Sequence, residues 1–208
     1  MAYNKVGETA HLKGNLKKAK AIMTYLGYTE EEFNIAGEDA YNYQGVGNPH
    51  NFAKIQPGEN VLDLGSGLGI DSFIACHYAT DKGQVTGLDI SKSEVKHAET
   101  RAAQRGLNAK FIVADMEAMP LPDGMIDVVI SNGAFCLAPN KEKAFAEIFR
   151  VLKPGGRMAI CTSTVKVDLE LGVHWPVCMR MFVHIDKLEP ICKKIGYENI
   201  LLLIHLMI

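Results

Sequence analysis

The segment from Glu59 to Gly69, ENVLDLGSGLG, constrains the fold more than any other part of the chain. It begins with a short apolar stretch, residues 61–64, that is typical of a buried strand. Three glycines follow at alternate positions: Gly65, Gly67 and Gly69. The next residues, Ile70 to Tyr78, are apolar at helical spacing. The segment therefore predicts a strand, a glycine turn and a helix, the arrangement at which an open α/β sheet binds ligands.

The charge next to the glycines indicates what kind of ligand the turn would bind. Asp63 precedes the first glycine by two residues, and a carboxylate there attracts an ammonium group and repels a pyrophosphate. The dinucleotide fingerprint G-x-G-x-x-G would require glycine at position 70, which is Ile70. The turn thus favours a ligand with an ammonium group and no phosphate. A tight structural turn in another kind of α/β protein is the alternative.

Two later strand sequences also end in an acid. Asp89 follows the glycine turn by about 20 residues, where such folds place a carboxylate that binds ribose hydroxyls. Ser91 and Glu94 predict a capping box for the next helix, so a cap is not needed from Asp89. Asp115 and its neighbour Met116 suit the amino group and the apolar face of an adenine. A surface turn is the alternative role for Asp115.

The rest of the chain continues the alternation of strands and helices. Residues 125–131 predict a fourth strand, and a helical pattern, a turn at 153–156 and a fifth strand near 158–165 follow. A helix capped by Asp186 and Glu189 and a sixth strand over 200–208 complete the pattern. The order predicts an open, doubly wound, mostly parallel α/β sheet of the Rossmann-like kind.

These motifs together resemble the class I S-adenosylmethionine (SAM) methyltransferases. NVLDLGSGLG, TGLDIS, VADMEAMP, IDVVISN and FRVLKPGG occur in the expected order across residues 59–164. Within that superfamily the chain is most similar to the arsenite methyltransferase group, through Tyr43–Gly47, Leu137–Lys143 and Trp175–Cys178. The resemblance implies SAM as cofactor and methyl transfer to a small molecule, arsenite or a thiol among them. A SAM-binding partner subunit without catalytic activity is the alternative, and the glycine spacing disfavours an NAD-dependent oxidoreductase.

The motifs and the resemblance together assign twelve cofactor contacts: Tyr43, Asp63, Gly65, Ser66, Gly67, Gly69, Asp89, Ile90, Asp115, Met116, Ser131 and Asn132. On the acceptor side the resemblance implies Cys178, whereas two other cysteine positions of the arsenite group are occupied by Val46 and Gly133. Cys136 is a candidate second thiolate, and His174 a candidate base for an acceptor thiol. Ordinary packing is the alternative for both cysteines and for the histidine. No metal site is predicted.

The chain of 208 residues most simply forms one domain, with an amino-terminal helical segment over 1–50 and a SAM-binding part over 51–208. The amino-terminal segment forms a lid over the cofactor or packs against the outside of the sheet. Methyltransferases of this class usually insert a seventh, antiparallel strand, and this sequence lacks one. The uncovered edge predicts a homodimer, a rearranged sheet or a sequence shortened at its end.

Composition narrows the range of functions further. The chain is 48% hydrophobic and 22% charged, as in an ordinary globular protein. Its formal net charge is −2 and no basic cluster is interleaved with aromatic residues, which argues against nucleic acid as a partner. Five cysteines without a C-x-x-C motif indicate reduced thiols, and no apolar run is long enough to span a membrane. We therefore expect a cytoplasmic protein.

Overall fold

A five-stranded parallel sheet forms the centre of the protein. The structure is a computed structural model, and it describes residues 16–166 and 181–204. The strands are β1 (Val61–Leu64), β2 (Val85–Asp89), β3 (Ala109–Val113), β4 (Ile126–Asn132) and β5 (Leu152–Cys161). They are arranged in the order β3-β2-β1-β4-β5, and every neighbouring pair is parallel. The predicted open parallel sheet is confirmed.

Helices cover both faces of this sheet. They are α1 (Leu16–Tyr25), α2 (Glu30–Ala36), α3 (His50–Ala53), α4 (Ile70–Ala79), α5 (Lys92–Arg105), α6 (Lys141–Val151) and α7 (Leu188–Ile195). Because side chains alternate along a strand, Val61 of β1 packs against α4, whereas Leu62 packs in the core that contains α6 and α7. The sheet is therefore doubly wound, as predicted. Among the described helices, none combines the length and the apolar composition of a membrane span.

Two predictions about the carboxyl-terminal part are wrong. Residues 200–204, the described part of the predicted strand over 200–208, do not form a strand, and the four apolar side chains of 201–204 are exposed, Leu201 to 74%. Asn199 just before them has a positive φ of 53°, which turns the chain. Helix α7 follows a 3₁₀ turn, Ile185–Lys187, and Lys187 at its start makes no side-chain cap bond. Asp186 and Glu189 are therefore not its caps.

The predicted turn at 153–156 is a bulge inside β5 and does not precede it. Leu152 pairs with Ile126 of β4, and the next paired residue, Arg157, lies opposite Val128. Four residues of β5 thus stand opposite one residue of β4, and Gly155 has the positive φ of 79° that such a bulge favours. The strand ends at Cys161, so it does not reach the predicted end at 165.

The amino-terminal segment is fixed to the outer helices. Apolar residues of α1 and α2 pack against Ile70 and Ile74 of α4. Asp39, which is buried, accepts hydrogen bonds from His97 (3.0 Å), Arg101 (3.0 Å) and Arg105 (2.6 Å) of α5. These donors lower the pKa of Asp39 although burial opposes them. The described part of this segment, residues 16–50, therefore packs on the helices that cover the sheet.

Candidate cofactor and acceptor site

A cavity of about 380 Å³ opens at the carboxyl ends of β1 to β4. This is the edge at which a doubly wound sheet binds ligands. Ten of the predicted contact residues line it: Tyr43, Asp63, Gly65, Ser66, Gly67, Asp89, Ile90, Asp115, Met116 and Asn132. Gly69 and Ser131 are not among the lining residues, and their places are described below.

The glycine turn brings bare backbone to the cavity wall. Gly65 has a φ of 72°, and a Cβ there would lie 2.0 Å from the Cβ of Ala134. The amides of Gly65 and Ser66 both donate to the carbonyl of Leu88, at 2.7 and 3.0 Å, which fixes the turn against β2. Gly69 has a different role, because a Cβ there would meet the ring of Phe73 at 2.7 Å. It is required by packing at the start of α4.

Asp63 presents a buried carboxyl group to the cavity. The residue is 2% exposed, and Ser72 Oγ donates to its Oδ2 at 2.6 Å. Burial, together with the nearby charge of Asp71, raises the pKa of Asp63 to about 8. A buried acid of this kind is uncharged near neutral pH unless a cation reaches it. The group therefore fits an ammonium ligand.

Asp89 is held by backbone donors at the end of β2. Its Oδ2 accepts from the Gly67 amide at 2.9 Å and its Oδ1 from the Ser91 amide at 2.8 Å. The hydroxyl of Ser91 caps α5 by accepting from the Glu94 amide, so Asp89 is not the cap. Burial raises the pKa of Asp89, and burial with the charge of Asp89 raises that of Glu94 to about 7. The remaining lone pairs of Asp89 are available to ribose hydroxyls.

The third acid, Asp115, lines the cavity together with two apolar side chains. Asp115 is exposed, and its Oδ1 accepts from the Glu117 amide at 2.8 Å, which orients the carboxyl group. Ile90, although apolar, is 58% exposed where it lines the cavity, and Met116 is half-buried beside Asp115. A flat ring with an amino group would cover both apolar surfaces and meet the carboxylate.

Asn132 and Ser131 bind other parts of the protein. Asn132 Oδ1 accepts from the amides of Val46 (2.8 Å) and Gly47 (3.2 Å), and its Nδ2 donates to the Gly47 carbonyl at 2.8 Å. These bonds attach residues 43–47, called the 43–47 loop, to the end of β4. Ser131 is fully buried, and its Oγ donates to the Leu64 carbonyl at 2.8 Å. Both side chains therefore position the cavity wall.

Asp71 is a cavity residue that the sequence analysis missed. It lies in the first turn of α4, is 8% exposed and accepts hydrogen bonds from Tyr28 OH (2.6 Å), His50 Nε2 (3.1 Å) and Asn132 Nδ2 (3.0 Å). Its position two residues after Gly69, the last glycine of the turn, is the sequence feature that could have indicated a place at the cavity. The donors come from three separate segments, so sequence spacing did not reveal their meeting.

Two described cysteines, Cys136 and Cys161, lie near this wall. Cys136 is buried, donates from Sγ to the Gly133 carbonyl at 3.3 Å and does not line the cavity. Burial raises its pKa. Cys161 lies under the 43–47 loop, and burial with the charge of Asp71 raises its pKa to about 12. Cys178 and His174, the other predicted acceptor-side residues, lie outside the described part of the chain.

The cavity thus offers partners to three parts of SAM: a buried acid for the ammonium, a held acid for the ribose, and an exposed acid with apolar neighbours for the adenine. Fold and cavity together define a class I SAM-dependent methyltransferase site. The profile of the methyltransferase-domain family matches residues 55–191, and the chain belongs to that family. The predicted fold class, the predicted enzyme family and SAM as the cofactor of that family are confirmed, which decides against the nicotinamide-dependent alternative.

Several known proteins are similar to this chain. An arsenite methyltransferase from Halobacterium salinarum is 39% identical over 181 residues, which cover 84% of this chain and 46% of that protein. A ubiquinone/menaquinone biosynthesis C-methyltransferase from Shewanella sediminis is 36% identical over 110 residues, 52% of this chain and 44% of that protein. A crystal structure of an arsenic(III) SAM methyltransferase from Chlamydomonas reinhardtii aligns with a TM-score of 0.66 at 28% identity, over 88% and 62% of the two chains. The chain spans about half the length of these curated relatives.

Proposed function

We propose that this chain transfers a methyl group from SAM to a small-molecule acceptor, and that a soft nucleophile such as arsenite is the first acceptor to test. One observation carries the proposal: acids at the ends of three neighbouring strands, Asp63, Asp89 and Asp115, line one cavity with the glycine turn. The names of the Halobacterium and Chlamydomonas relatives support arsenite as the acceptor.

Each of the three acids then has a definite task. Asp63 binds the ammonium group, Asp89 accepts hydrogen bonds from the ribose hydroxyls, and Asp115 accepts one from the adenine amino group. SAM supplies an electrophilic methyl group on a sulfonium centre when it is bound. The chain has to hold a nucleophile in line with that methyl group and exclude water. No covalent bond to the protein is required.

The cysteines on the acceptor side make the arsenite proposal testable. Soft elements such as trivalent arsenic prefer thiolate ligands, and burial keeps the thiols of Cys136 and Cys161 protonated. The arsenite proposal therefore depends on Cys178. A second acceptor class is a carbon or oxygen nucleophile on a neutral ring, because Leu137, Ala138 and Pro139 give the wall an apolar stretch.

The test is a transfer assay with methyl-labelled SAM and three acceptors: arsenite, a small thiol and a reduced quinone. We expect S-adenosylhomocysteine to form with at least one of them. If arsenite is the acceptor, Cys178→Ser abolishes transfer and Cys136→Ser, as the matched thiol control, leaves most of it. A protein that binds SAM and methylates none of the three is the silent partner subunit, and this result refutes the proposal.

A further inference from the structure

The cavity wall is strongly acidic. Five carboxyl groups line it: Asp63, Asp71, Asp89, Glu94 and Asp115. No lysine or arginine of residues 16–166 or 181–204 lines it. Residues 167–180, which lie between these ranges, have no excess of positive charge, since their sequence contains two acids, Asp168 and Glu170, and one arginine, Arg180.

Cofactor binding uses three of these acids. SAM brings a net charge of about +1 and is assigned the strand-end acids Asp63, Asp89 and Asp115, so Asp71 and Glu94 are the two cavity acids that the cofactor leaves unassigned. Asp71 in particular accepts three hydrogen bonds. It lines the same part of the cavity as Tyr43 and Asn132, which support the wall beside the 43–47 loop.

The rest of that wall is neutral and small. Gln44 and Gly45 of the loop and Gly133, Ala134 and Leu137 after β4 line it, and none of them can pair with an anion as a cationic side chain would. An acceptor that carried a carboxylate or phosphate would lose its hydration there and face the Asp71 carboxyl group, without a cationic side chain in return.

We propose that the site selects its acceptor by charge: it methylates neutral or cationic acceptors and excludes those that carry a carboxylate or a phosphate. This inference rests on the proposed function and narrows its substrate class. Arsenous acid, which is uncharged near neutral pH, satisfies the rule. A conjugate of arsenic with an acidic thiol peptide does not.

Matched acceptors test the rule without knowledge of the natural substrate. One set is 2-mercaptoethanol, mercaptoacetate and cysteamine, and the other is catechol, 3,4-dihydroxybenzoate and dopamine. Each set keeps the nucleophile and changes the charge from neutral to negative to positive. Rates are measured at saturating SAM, and each thiol rate is corrected for its thiolate fraction. We expect the anionic member of each set to be the poorest acceptor.

Charge variants at Gln44 separate selection from nucleophile chemistry. Gln44 is exposed at the cavity wall, so the substitutions do not disturb the core. Gln44→Lys should raise the anionic-to-neutral rate ratio by about threefold to tenfold at low salt, and less at high salt. Gln44→Glu should lower that ratio, and the uncharged control Gln44→Met should keep it.

Two results overturn the inference in different ways. If the anionic acceptors are methylated as fast as the neutral ones, or if the ratio is the same in the Gln44 variants, charge selection is refuted and the methyltransferase proposal stands. If a protein that binds SAM methylates no acceptor in either set and no arsenite, the proposed function is refuted and the inference with it.

Discussion

Asp63 predicts that SAM binding releases a proton near neutral pH. In the free protein, burial and the nearby Asp71 hold the pKa of Asp63 at about 8, so its carboxyl group is mostly protonated at pH 7. The ammonium of the ligand favours the ionised form, because an opposite charge close to a carboxylate stabilises it. Binding therefore expels the proton.

The size of the effect follows from that pKa. At pH 7 a group with a pKa of about 8 is protonated in roughly nine-tenths of the molecules, so binding should release close to one proton. Below pH 8 the dissociation constant for SAM should fall about tenfold for each unit of rising pH, which corresponds to about 1.4 kcal/mol of binding free energy. S-adenosylhomocysteine, which keeps the ammonium, should show the same release.

Calorimetry in two buffers measures this directly. At pH 7 the observed binding enthalpy in phosphate and in Tris differs by the number of released protons times the difference in buffer ionisation enthalpy. Glu94→Gln is the matched control, because Glu94 lies in the same cavity and its pKa is raised to about 7. The variant should keep most of the release. Equal enthalpies in the two buffers, or a release that disappears in Glu94→Gln, would refute the role given to Asp63.

Three further predictions concern the cavity wall. Gly65→Ala should abolish SAM binding and lower the unfolding free energy by about 3 kcal/mol, because the new Cβ would collide with Ala134. The control is Gly106→Ala, at a glycine with a similar φ but open space around it, which should lower the unfolding free energy by only ~1–2 kcal/mol. Thermal melts measure both losses, and equal losses would contradict this prediction. Asn132→Ala should speed amide exchange in the 43–47 loop, since it removes three bonds to the backbone of that loop, and unchanged exchange would exclude this role. Asp63→Asn should raise Tm relative to the wild type, and this difference in Tm should grow from pH 5 to pH 9. The reason is that the neutral carboxyl group of Asp63, whose pKa is raised, contributes stability that is complete below its ordinary pKa and is lost as pH rises through about 8. A Tm difference that does not change with pH would count against a buried, neutral acid.

The sequence predicts the cofactor side of the site well. Asp63, Asp89 and Asp115 end apolar stretches, and parallel strands bring such ends to one edge, so local pattern is sufficient there. Gly69 and Ser131 belong to the same motifs and are predicted to contact the cofactor, but they stabilise the fold and do not line the cavity. Their difference depends on the facing neighbour, Phe73 in one case and the Leu64 carbonyl in the other.

The sequence predicts the amino-terminal wall and the sheet edge less well. Asp71 and Asn132 meet the segments around Tyr28 and His50 only in three dimensions, and no spacing rule connects them. Residues 201–204 have the composition of a strand, but a strand also needs a partner, and the described part of the sheet provides none for them.

Equilibrium binding of SAM to the wild type and to Asp89→Ala tests the central claim most directly. If acids at successive strand ends hold the cofactor, the wild type binds one SAM per chain, and the variant, which loses the hydrogen bonds to the ribose, binds it at least tenfold more weakly, a loss of about 1.4 kcal/mol or more. A folded wild type that binds no SAM, or a variant whose dissociation constant is unchanged, would contradict the account.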